Sequence, residues 1–156
     1  MAVSLSSPVT GAPVTGFTTP TYTVAADQAP DASNGKQWYV SALGGTQTGA
    51  TVHSVASPFT GTMTRPKVFR NLGKANPVTA VIADVPRNVY GFLTRKGMTP
   101  LAGQPYVVGL NRTYFEVPAG VDTADAPNLK AGVSFHIGCL WQQSSGIADS
   151  LLTGVL

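Results

Sequence analysis

Two histidines, one cysteine and seven carboxylates form a thin inventory for acid–base or nucleophilic work in a 156-residue chain. Covalent catalysis needs a nucleophile, a base and an orienting group within hydrogen-bond reach, and no motif here joins them. His136 and Cys139 are three residues apart inside a helical pattern. A free cysteine there reads as a small buried hydrophobe rather than half of a Cys–His pair. A lone cysteine also cannot form an internal disulfide. His53 sits in a strand-like run without a partner. Neither a CxxC nor an HxxxH spacing occurs, so no metal is expected, and no GxxxxGK[ST] or GxGxxG loop implies a nucleotide or other cofactor. Gly44-Gly45 reads as a turn, and Asn111-Arg112-Thr113 as a strand segment rather than a glycosylation acceptor. What remains is binding chemistry. Thr60, Thr62 and Thr64 alternate along one segment, and Arg95, Arg112 and Tyr114 share their surroundings if the strands pair in order. Guanidinium groups neutralise phosphates, hydroxyls bond to phosphate, sugar and base edges, and a tyrosine ring can stack on an unpaired base. That set suits RNA.

The elements that would position these residues are mostly β-strands. Residues 1–16 are rich in Ser, Thr, Pro and Gly and read as an extended arm or short edge strand. Strand-like runs follow at Thr19–Ala25 and Lys36–Leu43, an early hairpin separated by a segment carrying the Asn34-Gly35 turn signal. Thr51–Val55, Phe59–Arg65, Asn88–Lys96 and Tyr106–Val117 complete six expected strands, mostly antiparallel. Period-two alternation puts Phe59, Gly61 and Met63 on a packing face and the three threonines on the other. Phe115 and Val117 should face the packing side too, which sends Arg112, Tyr114 and Glu116 across with the threonines. Arg95 is assigned to the same polar face.

The last 35 residues change character. Leu129, Val133, Ile137, Leu140 and Trp141 recur at a helical period, and after Gly146 the period returns in Ile147, Leu151, Leu152 and Val155. The pattern predicts helix, break at Gly146, helix. Asp122, Thr123 and Asp125 are candidate N-caps, and Pro127 is tolerated in a first turn. Such stripes must be covered by the chain's own sheet or by a partner's.

Composition points the same way. Charged residues make up 11% and hydrophobic ones 43%, a poor solvating surface for a monomer but a suitable one for a subunit that buries itself against copies. The net charge of +3 is uneven: eight of ten basic residues, and a single acid, Asp84, lie between Arg65 and Arg112. A polyanion is the natural partner of such a block. The N-terminus lacks a basic-then-apolar leader and no window approaches the run of about 18 apolar residues a membrane span needs, so the product is expected to stay where it is made. One domain, 1–156, is expected, with a sheet part over 1–118 and helices over 122–156.

An α+β chain of this order, an antiparallel meander with an N-terminal hairpin followed by two C-terminal helices, resembles the coat proteins of single-stranded RNA bacteriophages, the levivirus-like capsid proteins. The resemblance is carried by VPAGVDTADAPNLKAGVSFHIGCLWQQSSGIADSLLTGVL at the end and by PFTGTMTRPK in the middle. It implies an interlocked homodimer in which each subunit's helices cover the other's sheet, helices outward and polar face inward. It further implies an icosahedral shell, packaging of the RNA genome, and repression of replicase translation by a dimer gripping an RNA stem-loop. The protein would be assembled in the bacterial cytoplasm and reside in the virion. Carried over, Thr60, Thr62, Thr64, Arg112, Tyr114 and Arg95 would contact RNA. The apolar stripe of Leu129, Val133, Ile137, Leu140, Trp141, Leu151 and Leu152 would form the dimer interface. The loop Gly97–Gln104 corresponds to the one around the symmetry axes. The loop Lys67–Arg87 is longer than in the best-known coats. The rival reading is a secreted β-sandwich carbohydrate-binding module stacking sugars on Trp38, Tyr39 and Tyr106, with an enzyme built on His136 or Cys139 a distant third.

Overall fold

The computed structural model describes residues 3–156; Met1 and Ala2, at the start of the expected arm, lie outside the described residues. Six strands precede three helices: β1 (Val9–Thr10), β2 (Thr18–Asp27), β3 (Gly35–Thr46), β4 (Phe59–Thr64), β5 (Arg87–Met98), β6 (Val107–Pro118), α1 (Val121–Ala124), α2 (Ala126–Gln142) and α3 (Ser144–Thr153). The strands form one antiparallel sheet in sequence order, β1-β2-β3-β4-β5-β6. Each neighbour in the chain is a neighbour in space, the usual arrangement for consecutive strands, and it holds even across the long connection from Thr64 to Arg87. A second packed sheet is absent among the described residues, which removes the β-sandwich reading. Trp38 is buried, Tyr39 is half-buried and Tyr106 lies exposed in the β5–β6 connection, so these rings make no common platform.

The six strands are not the six expected. Thr51–Val55 is irregular, and the sixth place is taken by Val9–Thr10, paired with Tyr22 and Thr21. β3 has twelve residues and β4 only six, so β4 covers Gly35–Tyr39 and leaves the rest of that edge open. The segment after β3 fills part of it without becoming a strand. The His53 N–H donates to the Val40 carbonyl, and the Gln47 amide donates to the carbonyls of Thr21 and Gly44. Gly44 and Gly45 lie within β3 rather than in a turn. Gly45 has φ +70°, and a Cβ there would meet the Thr19 carbonyl oxygen at 2.2 Å. The turn before β3 spans Asp31–Asn34, closed by the Asn34 N–H on the Asp31 carbonyl. β5 runs through Met98, so Gly97 belongs to the strand and the loop begins after it. There the backbone presses on Ser57, whose Cα lies 2.6 Å from where a Cβ of residue 97 would sit.

Two corrections concern the helices. The break falls at Gln143, and Gly146 sits inside α3. A single residue with a non-helical backbone suffices for the change of direction, and a mid-helix glycine costs only about 1 kcal/mol. The helical segment opens with a one-turn α1 behind Gly120, whose φ of +86° suits glycine, before Asp125 caps α2. The Asp125 carboxylate accepts the Asn128 side-chain N–H instead of a backbone one, and Pro127 stands in the first turn as expected. No residue of the three helices is buried. Cys139 is accordingly exposed in the single chain, against the sequence expectation, because the helices project beyond the cover their own sheet provides. α3 is tethered at the opposite side of the molecule. The hydroxyls of Ser144 and Ser145 donate to the Pro13 carbonyl, and Thr15 donates to Asp149.

Candidate nucleic-acid interface

Residues directly opposite in an antiparallel ladder share a face. The register therefore sorts the side chains without ambiguity. Met63 pairs with Phe92 and Phe92 with Thr113, while Tyr90 pairs with Phe115. These residues, with Phe59 and the buried Trp38 and Val40, belong to the face beneath α2. The other face carries every residue singled out for RNA. One row crosses five strands as Asp27, Gln37, Thr62, Leu93 and Arg112. A second runs Ala25, Tyr39, Thr60, Arg95 and Leu110, and a third Gly35, Thr64, Gly91 and Tyr114.

The six candidates differ in what they can offer. Tyr114 is 61% exposed and Arg112 is exposed, so both project from the sheet. Arg95 is half-buried, and neither arginine takes part in the two ion pairs formed among the described residues, Lys67–Asp31 and Arg87–Glu116. The second of these lies on the same face, so Glu116 holds Arg87 at 3.2 Å. Thr64 is exposed and donates to the Gly91 carbonyl at 3.4 Å. Thr60 and Thr62 are only 4% exposed, enclosed by longer neighbours. The Thr62 hydroxyl is held by the Gln37 side-chain oxygen at 2.9 Å, whereas the Thr60 hydroxyl has no hydrogen-bond partner among the described residues. A buried hydroxyl without a partner costs free energy.

Sequence reasoning missed three side chains on this face. Gln37 and Asp27 share the row of Thr62 and Arg112, with Gln37 Nε2 donating to Asp27 Oδ2 at 2.6 Å. That bond, and a second from the Gln28 N–H, hold the Asp27 carboxyl below its ordinary pKa. Tyr39 lies beside Thr60, its ring tilted by 47° against the His53 ring at 5.4 Å between centroids. The imidazole Nδ1 of His53 accepts the Phe59 N–H. Parity from Thr62 through an assumed β3–β4 register would have found Gln37. Its polarity alone did not.

The basic block does not form one surface. Arg65, Lys67, Arg70 and Lys74 lie in the connection between β4 and β5, and Arg87 is paired. Lys96 points to the helix side, where its Nζ sits 4.8 Å over the Phe59 ring and donates to Thr51. Burial against that ring lowers its pKa. Among the strand residues of this block, Arg95 and Arg112 bring charge outside the two ion pairs to the polar face.

The helix side shows the reverse chemistry. An open apolar cleft of about 490 Å³ separates α2 from the sheet, with Met63, Phe92 and Phe115 below and Leu129, Val133, Ile137 and Leu140 above. Trp141 is half exposed, and Leu151 and Leu152 are 78% and 86% exposed. Apolar surface on this scale marks an interaction site. His136 rests edge-on against Phe115, and Cys139 lies one turn further along the same helix. Among the described residues no group of three His, Cys, Asp or Glu could hold a metal, and no helix is long and apolar enough to cross a membrane.

No protein-family model and no curated protein matches the chain. Among solved structures, the virus-like particle of bacteriophage ESE020 is similar to it, with a TM-score of 0.96 and 55% sequence identity over 99% of this chain and 100% of that one.

Proposed function

We infer from its membership of the coat proteins of single-stranded RNA bacteriophages that this chain, a structural capsid protein, closes its two unfinished surfaces in two different ways. Copies of itself cover the apolar side, and RNA covers the polar face. The observation that carries the first half is the 55% identity, over essentially the full length of both chains, to a protein whose structure is that of a virus-like particle. Its role is assembly into a virion and not turnover.

In this reading Leu129, Val133, Ile137, Leu140, Trp141, Leu151 and Leu152 form the dimer interface. The cleft beneath α2 receives the partner's helical segment. Burying one leucine contributes about 1.5–3 kcal/mol, so several per subunit suffice for a dimer that outlasts its weaker contacts within a shell. The RNA half rests on the register, which puts Thr60, Thr62, Thr64, Arg95, Arg112 and Tyr114 on one face opposite the helices. Arg95 and Arg112 neutralise phosphates, and Tyr114, at 61% exposure, offers a stacking surface.

Untagged expression in a bacterium, size exclusion of the lysate, absorbance at 260 and 280 nm and negative-stain microscopy test both halves together. Closed, uniform particles rich in RNA are expected. Closed particles without nucleic acid would remove the RNA half, and a monodisperse monomer would remove both.

A further inference from the structure

The sheet face holds a side chain whose hydrogen-bonding polarity is dictated by its neighbours. Asp27 is exposed and ionised at neutral pH, its carboxyl held below the ordinary range, and an ionised carboxylate only accepts hydrogen bonds. Gln37 must therefore turn its NH₂ towards Asp27, at 2.6 Å. That orientation leaves the amide oxygen on the other side, where Thr62 Oγ1 lies 2.9 Å away and must donate. A side-chain amide has two N–H donors and two acceptor lone pairs, so one of each remains on Gln37 after both neighbours are satisfied. Gln37 is half-buried, on the open face, in the same cross-strand row as Arg112. Two strand spacings separate Gln37 from Leu93 and a third reaches Arg112, about 14 Å in all.

We propose that Gln37 is a base-reading residue of this face and that Asp27 is the positioning residue that fixes the direction of its amide. The proposal rests on the face being an RNA surface. The free oxygen lone pair and the free N–H match a base edge that places an amino N–H beside a ring-nitrogen acceptor. On a strand held in one direction across the face, the reversed edge, a carbonyl beside a ring N–H, meets the amide in its disfavoured orientation. Asp27 enforces the choice because it cannot donate. An asparagine in its place can donate or accept, so the amide and the Thr62 hydroxyl could reverse together at little cost. Thr62, enclosed and already bonded, acts through Gln37 and need not touch the ligand itself. Arg112, at the other end of the row, supplies phosphate affinity that is indifferent to the base.

Adenosine and inosine octamers, equal in charge, present the two opposite edges, and fluorescence anisotropy with the full-length protein reads the difference. Wild type should prefer the adenosine octamer by about tenfold, the discrimination of one bidentate amide contact. Asp27→Asn should bring the two affinities within about twofold by restoring inosine binding, and Gln37→Met should do so by weakening adenosine binding. Arg112→Ala should weaken both octamers equally and leave their ratio unchanged. Equal wild-type affinities overturn the proposal, as does a preference that survives both Asp27→Asn and Gln37→Met. Absence of binding to either octamer overturns the RNA reading itself and this inference with it, an outcome distinct from binding without preference. Dimer mass and circular dichroism of each variant, matched to wild type, exclude misfolding as the source of any loss.

Discussion

The sheet and the helical end of this molecule are finished to different degrees. Five of the six strands carry long ladders to their neighbours, and the polar face is knit by side-chain bonds from Asp27 through Gln37 to Thr62. The helices have no buried residue, and α2 stands above an apolar cleft with Ile137, Leu140 and Trp141 exposed. The strands of one region are bonded to one another within a single chain, and the other region is half of a structure. The lesson is that exposed apolar side chains here measure what the chain lacks, not how poorly it folds.

The largest effect should come from the unfinished half. Leu151→Asp combined with Leu152→Asp removes about 3 kcal/mol or more of burial per subunit. Dimers and particles should be lost while the β-sheet circular dichroism signal persists; light scattering coupled to size exclusion checks this, and normal particles would erase the contrast between the halves. Next, the finished half should respond to internal crowding. Gly97→Ala forces a Cβ against the Ser57 backbone, at a cost of about 1–3 kcal/mol and a fall in Tm of roughly 2–12 °C. Calorimetry should find that loss with dimerisation intact. A smaller change, in function rather than stability, is expected from Arg95→Ala with Arg112→Ala. Particles should form with less RNA, and the slope of log affinity against log salt should flatten by about 1.5. Unchanged RNA content would separate these arginines from the genome.

The smallest effect follows from the Asp27 carboxyl. Its folded pKa lies below the ordinary 3.8, so its bond to Gln37 adds stability that is fully present above that value. The contribution fades only as pH falls through the lower folded value. The adenosine preference should thus stay flat down to about pH 5, which is more than one pH unit above the folded pKa of the carboxyl. A titration of the preference between neutrality and that limit checks it.

Much of this contrast was legible before any coordinates. Alternation in Phe59–Arg65 assigned Met63 and the threonines to opposite faces, and the helical period in Leu129–Leu140 marked the stripe that lines the cleft. Local patterns carry such information because side-chain direction follows backbone period. Registers and tertiary closure are not local. Gln37 and Asp27 join the site only because β2, β3 and β4 pair in one alignment. Thr51–Val55 has strand-like residues, yet its backbone makes only isolated bonds, from the His53 N–H to the Val40 carbonyl and from the Ser54 N–H to the Ser57 carbonyl. The position of the helix break escaped for a related reason: Gly146 is the better helix breaker by propensity, but the break falls at Gln143, next to the serines that bond to the distant Pro13.

That meeting point has a consequence in time. The strands follow one another in the sheet as they do in the chain, so each can join its predecessor as it leaves the ribosome. α3 cannot be placed this way. Its bonds to Pro13 and Thr15 join residues more than 130 positions apart, and contacts that close so long a loop form late. α3 thus docks after the strands have paired, and the apolar side stays open before and after it does. The sheet can therefore form before that long loop closes, and a folding subunit presents its pairing surface to a partner from an early stage.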